Sequence, residues 1–273
     1  MPVEYGLDDR SGLEDPTGLV GTRLSLEAHV ITGAQSTIGA VRQAVAMAGA
    51  DVAGLVYSGC AAASYLVEPE SREEGALMVD IGAETTQFAL FSRGSLRKSG
   101  SVPVGGNQVT RDLAWGLDMD FAAAERAKRR WGSALRTRPA PVGPDRATAP
   151  DPETLARLGA ICEARQQEIL ELVAQGLQWG VNRPKLGAGV ILTGGGARLR
   201  ATAELAEQVF SAQSACRRAP EDDQATRPES WVVALGMSWF VLKVQRDRPG
   251  RLAGEANGNR VMRPLRRLIG RLV

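Results

Sequence analysis

The chain has 273 residues, 44% of them hydrophobic and 23% charged, with 31 glycines and three cysteines. These are ordinary fractions for a soluble globular protein, and they exclude a collagen, a disordered tail and a small disulfide scaffold. The net charge of +2 is the balance of 33 basic and 31 acidic residues, so no nucleic-acid partner drawn in by global charge is expected.

Cys60, Cys162 and Cys216 lie far apart, no CxxC pair occurs, and His29 is the only histidine, so zinc-ligand spacing is missing and a reducing compartment is the better fit. The opening MPVEYGLDDRSG carries acids and glycine where a signal peptide would have a basic start and an apolar run. The longest uncharged apolar run, Trp231 to Leu242, is shorter than the roughly 20 residues of a spanning helix. A cytoplasmic protein, at most peripheral on a membrane, is expected.

In chain order, residues 20–33 (VGTRLSLEAHVITG) alternate and are β-branched, which predicts a strand. Ile38, Val41, Val45 and Ala48 follow at helical spacing, and Gly49 stops that helix. A short strand at Ala53–Ser58 and an alanine-rich helix from Gly59 to Val67 come next. Residues 75–99 read as a β-hairpin: ALMVDIG, then TQFALFS and a turn at Gly94. Helices are expected over 108–117 and 121–131. Five prolines between Arg136 and Pro152 mark a solvated loop or linker. Leu155, Leu158, Cys162, Ile169, Leu172, Val173, Leu177 and Val181 then form the stripe of a long helix. GVILTGGGARL reads strand, glycine turn, then a helix through Phe210, and residues 231–243 form a buried helix or strand. Alternating strands and helices place the body in the α/β class.

Three segments carry chemistry. In MVDIGAETTQFAL (78–90) a buried strand ends in Asp80, and a turn through Gly82 leads to Thr85 and Thr86. Such a turn can aim backbone N–H groups at a phosphate, and a strand-end aspartate can hold hydrated Mg²⁺; an ordinary hairpin is the equal alternative. In VILTGGGARL (190–199), Gly194, Gly195 and Gly196 lie between strand and helix, where glycine is costly unless something approaches the backbone, such as an adenine ring or a phosphate. No GK[ST] follows, so this is no Walker motif. In AAAERAKRRWG (122–132), Glu125 and Lys128 share a helix face and could bracket a ribose and a purine, or form a surface ion pair. No catalytic nucleophile or base can be identified.

In this order the three segments resemble the actin/Hsp70/sugar-kinase ATPase superfamily. Within it the chain resembles the FtsA family of bacterial cell-division proteins. The carrying residues are 15–33, 57–82, 101–117, 163–173 and 189–210, most of the chain. The resemblance implies an α/β actin-like ATPase fold that binds ATP and Mg²⁺ between two halves. It places Asp80 near the metal through water, the backbone of Gly82, Ala83 and Glu84 toward the γ-phosphate, and Thr85 beside it. Glu125 and Lys128 would flank ribose and base, and Gly194, Gly195 and Gly196 would lie under the adenosine.

Two departures from the family pattern stand out. Glu84 occupies a position where the family has glycine. The matched region also begins past the family's first strand and first phosphate turn, so an N-terminally truncated fold with weak ATP binding and negligible hydrolysis is expected. On this reading, 1–33 is the remnant of the family's inserted subdomain and 34–79 is part of the first actin-like subdomain. Residues 80–242 form the second lobe returning to the first, 243–259 are a linker, and 260–273 are a membrane-targeting helix.

That last segment, NRVMRPLRRLIGRLV with its preceding Asn259, puts Val261, Leu265, Leu268, Ile269 and Leu272 on one helical face. Arg260, Arg263, Arg266, Arg267 and Arg271 lie largely on the other, and no acid follows Glu255. This is the form of an in-plane amphipathic helix that meets anionic lipid, with Pro264 in its first turn. The +2 therefore divides: residues 260–273 hold five arginines and no acid, leaving 28 basic and 31 acidic residues in 1–259.

The function implied by the resemblance is a cell-division adaptor. It would tether filaments of the tubulin-like protein FtsZ to the inner face of the plasma membrane, self-associate into filaments, contact other divisome proteins, and use ATP as a conformational ligand. The alternatives are an active ATPase or sugar kinase of the same superfamily, and a pilus-assembly or rod-shape actin homologue.

Overall fold

The computed structural model describes residues 2–139, 150–181, 184–217 and 228–247. Its body is a five-stranded sheet of order β6-β5-β4-β7-β8. Strand β4 (Ala76–Ile81) is central, antiparallel to β5 (Thr86–Ser92) and parallel to β7 (Gly189–Thr193). Strand β6 (Ser95–Val102) pairs antiparallel with β5, and β8 (Ser214–Cys216) parallel with β7. Ala76, Leu77, Met78, Val79 and Ile81 are fully buried. A strand covered on both faces reads as a continuous apolar run, which is why ALMVDI does not alternate.

One face of the sheet carries α4 (Gly106–Gly116), α5 (Phe121–Trp131), α6 (Pro152–Leu177) and α7 (Thr202–Phe210). Leu77, Val79, Ile81 and Leu192 pack there with Leu113, Leu158, Ile169 and Phe210. The other face carries α2 (Ser58–Leu66), α3 (Pro69–Glu74) and α8 (Pro228–Asp247). There Met78, Ala89 and Ile191 meet Cys60, Ala63, Leu66 and Val232. Local chemistry fixes the helix starts. Asp120 accepts from Ala123 N–H at 2.8 Å, and Asp151 caps α6 through Glu153 and Thr154, with Pro152 in the first turn.

A separate sheet of order β2-β1-β3 comprises β1 (Pro2–Leu7), β2 (Arg10–Leu13) and β3 (Leu24–Ala28). It abuts β6 through Ser95 Oγ donating to Val3 O (2.7 Å), the Arg97–Glu4 pair (3.2 Å) and His29 Nε2 against Ser99 Oγ (2.9 Å). Helix α1 (Gln35–Met47) follows and ends near Gly49, at φ +77°, yet buries none of its residues.

Several expectations are corrected. The strand expected over 20–33 is confined to Leu24–Ala28. Residues 53–57 form no strand, and α2 begins at Ser58. Strands β1, β2 and β8 and helix α3 carry too little periodicity to be seen in sequence. The helix through Phe210 is two pieces: a 3-10 turn at Gly195–Arg198, and α7 after a break where Ala201 adopts φ +60°. Helix α6 ends at Leu177, so Val181 is exposed, and Trp179, Leu170 and Gln166 are buried in its neighbourhood instead. Residues 231–243 are helical, within α8. Most of the proline-rich loop lies outside the described residues, as does all of 248–273. The segment with Val261, Arg263, Leu265, Arg266, Arg267, Leu268, Ile269, Arg271 and Leu272 is therefore not described. Among the described residues no helix is long and apolar enough to cross a membrane.

Candidate nucleotide site

Three loops meet at one end of the main sheet: β4–β5 (Gly82–Thr85), β6–α4 (around Gly105) and the glycine turn after β7. Glycines permit the close contact. A Cβ at Gly105 would lie 2.6 Å from the carbonyl oxygens of Gly82 and Ala83. In the native backbone those carbonyls accept from Gly106 and Asn107 N–H at 2.8 Å each, which ties the β4–β5 loop to the start of α4. Gly194 sits at φ +85°, where a Cβ would collide with Asp80 Oδ1 and lie 2.5 Å from Ile81 O. A Cβ at Gly196 would strike Ile81, whereas one at Gly195 would meet nothing within 4 Å. Two of the three glycines thus serve close packing against β4, and only Gly195 leaves open space.

Between these loops and α5 lies a cleft of about 550 Å³, within the range of small-molecule sites. It brings together Gly82, Ala83, Glu125, Lys128, Gly195 and Gly196. Asp80, Glu84, Thr85 and Gly194 are not part of its lining. Gly82 N–H is spent on Thr85 O at 2.9 Å, while the N–H groups of Ala83, Glu84 and Thr85 find no acceptor among the described residues. Of these three residues only Ala83 is also in the lining.

The Glu84 carboxylate is held at the rim. Its oxygens accept from Arg111 Nη2 (2.8 Å), Arg111 Nη1 (3.0 Å) and Asn107 Nδ2 (2.9 Å). The hydrogen bonds from Arg111, then that from Asn107, hold its pKa below the usual carboxylate range. Thr85 is exposed, and the buried hydroxyl of the pair is Thr86, which donates to Val104 O at 2.8 Å.

Glu125 and Lys128 form a closed network. Lys128 Nζ donates to Gly106 O (2.9 Å) and Thr110 Oγ1 (2.7 Å) and pairs with Glu125 at 2.7 Å. Thr110 Oγ1 donates to Glu125 Oε2 at 2.6 Å, and Arg129 Nε to Oε1 at 2.6 Å. Burial pushes the Glu125 pKa up, but the bonds from Lys128, Thr110 and Arg129 outweigh it and lower it to about 2. Burial raises Asp80, which shares strand parity with Ala76 and Met78 on the α2 face and is felt electrostatically by Tyr57.

Sequence reasoning missed Asn107, Gln166, Arg129, Arg130, Arg198 and Arg200, all of which line the cleft. The adjacent Gly105–Gly106 pair, opening a helix after a strand, was the available signal. Gln166 is fully buried beneath the turn and its Oε1 has no partner among the described residues. A long helix's apolar stripe hides such a residue.

A sheet with helices on both faces and a cleft beside its glycine turns is the architecture this chain shares with actin-like ATPase folds. Consistent with this, the chain superposes on MreB5 of Spiroplasma citri bound to ADP with a TM-score of 0.60 at 18% identity, covering 79% of this chain and 68% of that one. It also superposes on the PilM–PilN type IV pilus biogenesis complex with a TM-score of 0.54 at 19% identity, covering 74% and 56%. The model of cell division protein FtsA matches residues 77–236, and that of the SHS2 domain inserted in FtsA matches residues 1–32. With over half of its length matched, the chain belongs to the FtsA family of cell-division proteins. Cell division protein FtsA of Pseudomonas aeruginosa is 32% identical over 219 residues, 77% of this chain and 52% of that protein. The Escherichia coli K12 protein is 33% identical over 229 residues, 78% and 54%. The chain spans about half the length of the curated relatives it matches.

Proposed function

We propose that this protein is a nucleotide-responsive adaptor of the division machinery. The observation that carries the reading is the cleft itself. Three segments far apart in sequence converge on one cavity in a member of a cell-division family. ATP fits its size and donor set: open backbone at Gly195 for the adenosine, Glu125 and Lys128 on the wall, and for phosphate the Ala83 amide, which has no acceptor among the described residues. In this reading ATP acts as a conformational ligand, with hydrolysis weak at most.

In this reading 1–33 is part of the family's inserted subdomain, 34–79 belongs to the first actin-like subdomain and 80–242 to the second lobe. Residues 260–273 lie on anionic lipid at the inner face of the plasma membrane. FtsZ filaments, other divisome proteins and further copies of the chain are the partners. The test is flotation with liposomes, with and without FtsZ. The full chain should float with anionic vesicles and carry FtsZ with it, and deletion of 260–273 should abolish both. Equal flotation after the deletion, or none with the full chain, would refute the tether.

A further inference from the structure

One polar side chain in the wall of the cleft is not satisfied where it stands. Gln166 belongs to α6, lines the cleft and is fully buried. Its Nε2 donates to Gly196 O at 3.5 Å and to Thr202 Oγ1 at 3.4 Å, both at the long limit of a hydrogen bond. Its Oε1 has no partner among the described residues.

The neighbours fix which way the amide points. A carbonyl oxygen can only accept, and the Thr202 hydroxyl has its proton committed to Leu199 O at 2.6 Å. The NH₂ group therefore faces Gly196 and Thr202, and the oxygen is left as a buried acceptor without a donor. Around it on α6, Cys162, Ile169, Leu170 and Val173 are apolar and fully buried. An apolar side chain of similar shape would avoid the cost of an unmet polar atom at this position. A polar residue placed here, in the wall of a cavity, calls for a ligand that brings the missing donor.

Of the parts of a nucleotide, phosphate offers acceptors only, and Glu125 and Lys128 stand on the wall for the ribose. Gln166 instead lies beneath the glycine turn, where the open backbone at Gly195 receives the base. Adenine carries an exocyclic amine next to the N7 acceptor, the edge that a glutamine amide matches with its oxygen and its NH₂ together. Guanine carries a carbonyl oxygen in place of that amine.

We propose that Gln166 is the residue by which this cleft selects adenine, its Oε1 accepting from the exocyclic amine of the base. The inference rests on the nucleotide reading above and assigns the base specificity of that same site. Because both present contacts are long, the amide turns toward a base without giving up a strong bond. With guanine, two acceptors would face each other in a buried place, and a site built around one hydrogen bond rejects the analogue that cannot make it.

The test is competition against a fluorescent ATP analogue on the full chain. The competitors are ATP, GTP and purine riboside triphosphate, which is ATP without its amine. Wild type should bind ATP about tenfold more tightly than either of the others. Gln166→Met keeps the volume and removes the amide. In that variant ATP should weaken to the level of the amine-free analogue, whose own affinity should change by less than about threefold. A thermal melt shows that the variant is folded. Equal weakening of all three nucleotides would mean that Gln166 only supports the glycine turn, and would overturn the inference. Equal binding of ATP and the amine-free analogue by wild type, the result if a trapped water satisfies Oε1, would overturn it too and leave the nucleotide reading standing. No binding of any nucleotide would overturn both.

Discussion

At the scale of single residues, the glycine turn separates geometry from ligand chemistry. Gly194 combines φ +85° with a Cβ position already filled by Asp80 and Ile81. Gly194→Ala is therefore expected to destabilise the chain by about 1–3 kcal/mol, from backbone strain and overpacking together. Gly195→Ala should cost far less, because nothing lies within 4 Å of its Cβ. Urea unfolding of the two variants checks the contrast.

Glu125 has a pH signature of its own. Its folded pKa is lowered from 4.5 to about 2. A depressed carboxyl contributes stability that is fully present above 4.5 and is lost as pH falls toward about 2. The stability difference between wild type and Glu125→Gln should be flat at neutral pH and shrink across that acid window. A difference that did not change there would mean that the carboxylate is not held by Lys128, Thr110 and Arg129. For Glu84, a lone sequence reading leaves the side chain free to face phosphate or solvent. Arg111, one turn into α4 from Asn107, decides the matter by clamping it at the rim.

At the scale of elements, the α2–α8 pair depends on closeness. Gly236 sits with its Cα against the Ala61 carbonyl, and α2 contributes Ala61, Ala62 and Ala63, all fully buried. Alanine is the better helix former by about 1 kcal/mol, so on propensity alone Gly236→Ala should stabilise. The collision with α2 backbone reverses the sign, and a loss of about 1–3 kcal/mol is expected in a thermal or urea melt. Stabilisation by this substitution would show that the helices are farther apart than described. The element reading was legible where patterns were long: ALMVDI with TQFALFS, and the α6 stripe. It failed where tertiary contact supplies the order. Strand β8 is three residues long and exists because β7 pairs with it. Residues 53–57 have β propensity but no neighbouring strand to pair with among the described residues.

At the scale of the molecule, packing is uneven. The main sheet is buried on both faces, while α1 buries nothing, every residue of β3 is exposed, and Val41 and Met47 are 52% and 81% exposed. Hydrogen exchange should be slowest in β4 and β7 and fastest in 35–47, since local opening is cheapest where few apolar contacts must break. Protection in α1 equal to that of β4 would contradict this gradient. The small sheet hangs on β6 by few polar contacts, among them His29–Ser99 and Arg97–Glu4.

The sequence by itself determined the α/β class, the strand–turn–strand around Asp80, the glycine turn, the ERAK helix and the family. Each of these is written in local periodicity or in a contiguous motif. Only the tertiary structure decided which residues meet. It buried Asp80 on the α2 face, paired Glu84 with Arg111, spent Gly194 and Gly196 on packing against β4, and surrounded the cleft with arginines from two distant segments. A local motif specifies backbone direction. Side-chain partners and burial depend on segments brought together from more than a hundred residues away, as with Asp80 and Gly194, and no local pattern encodes them.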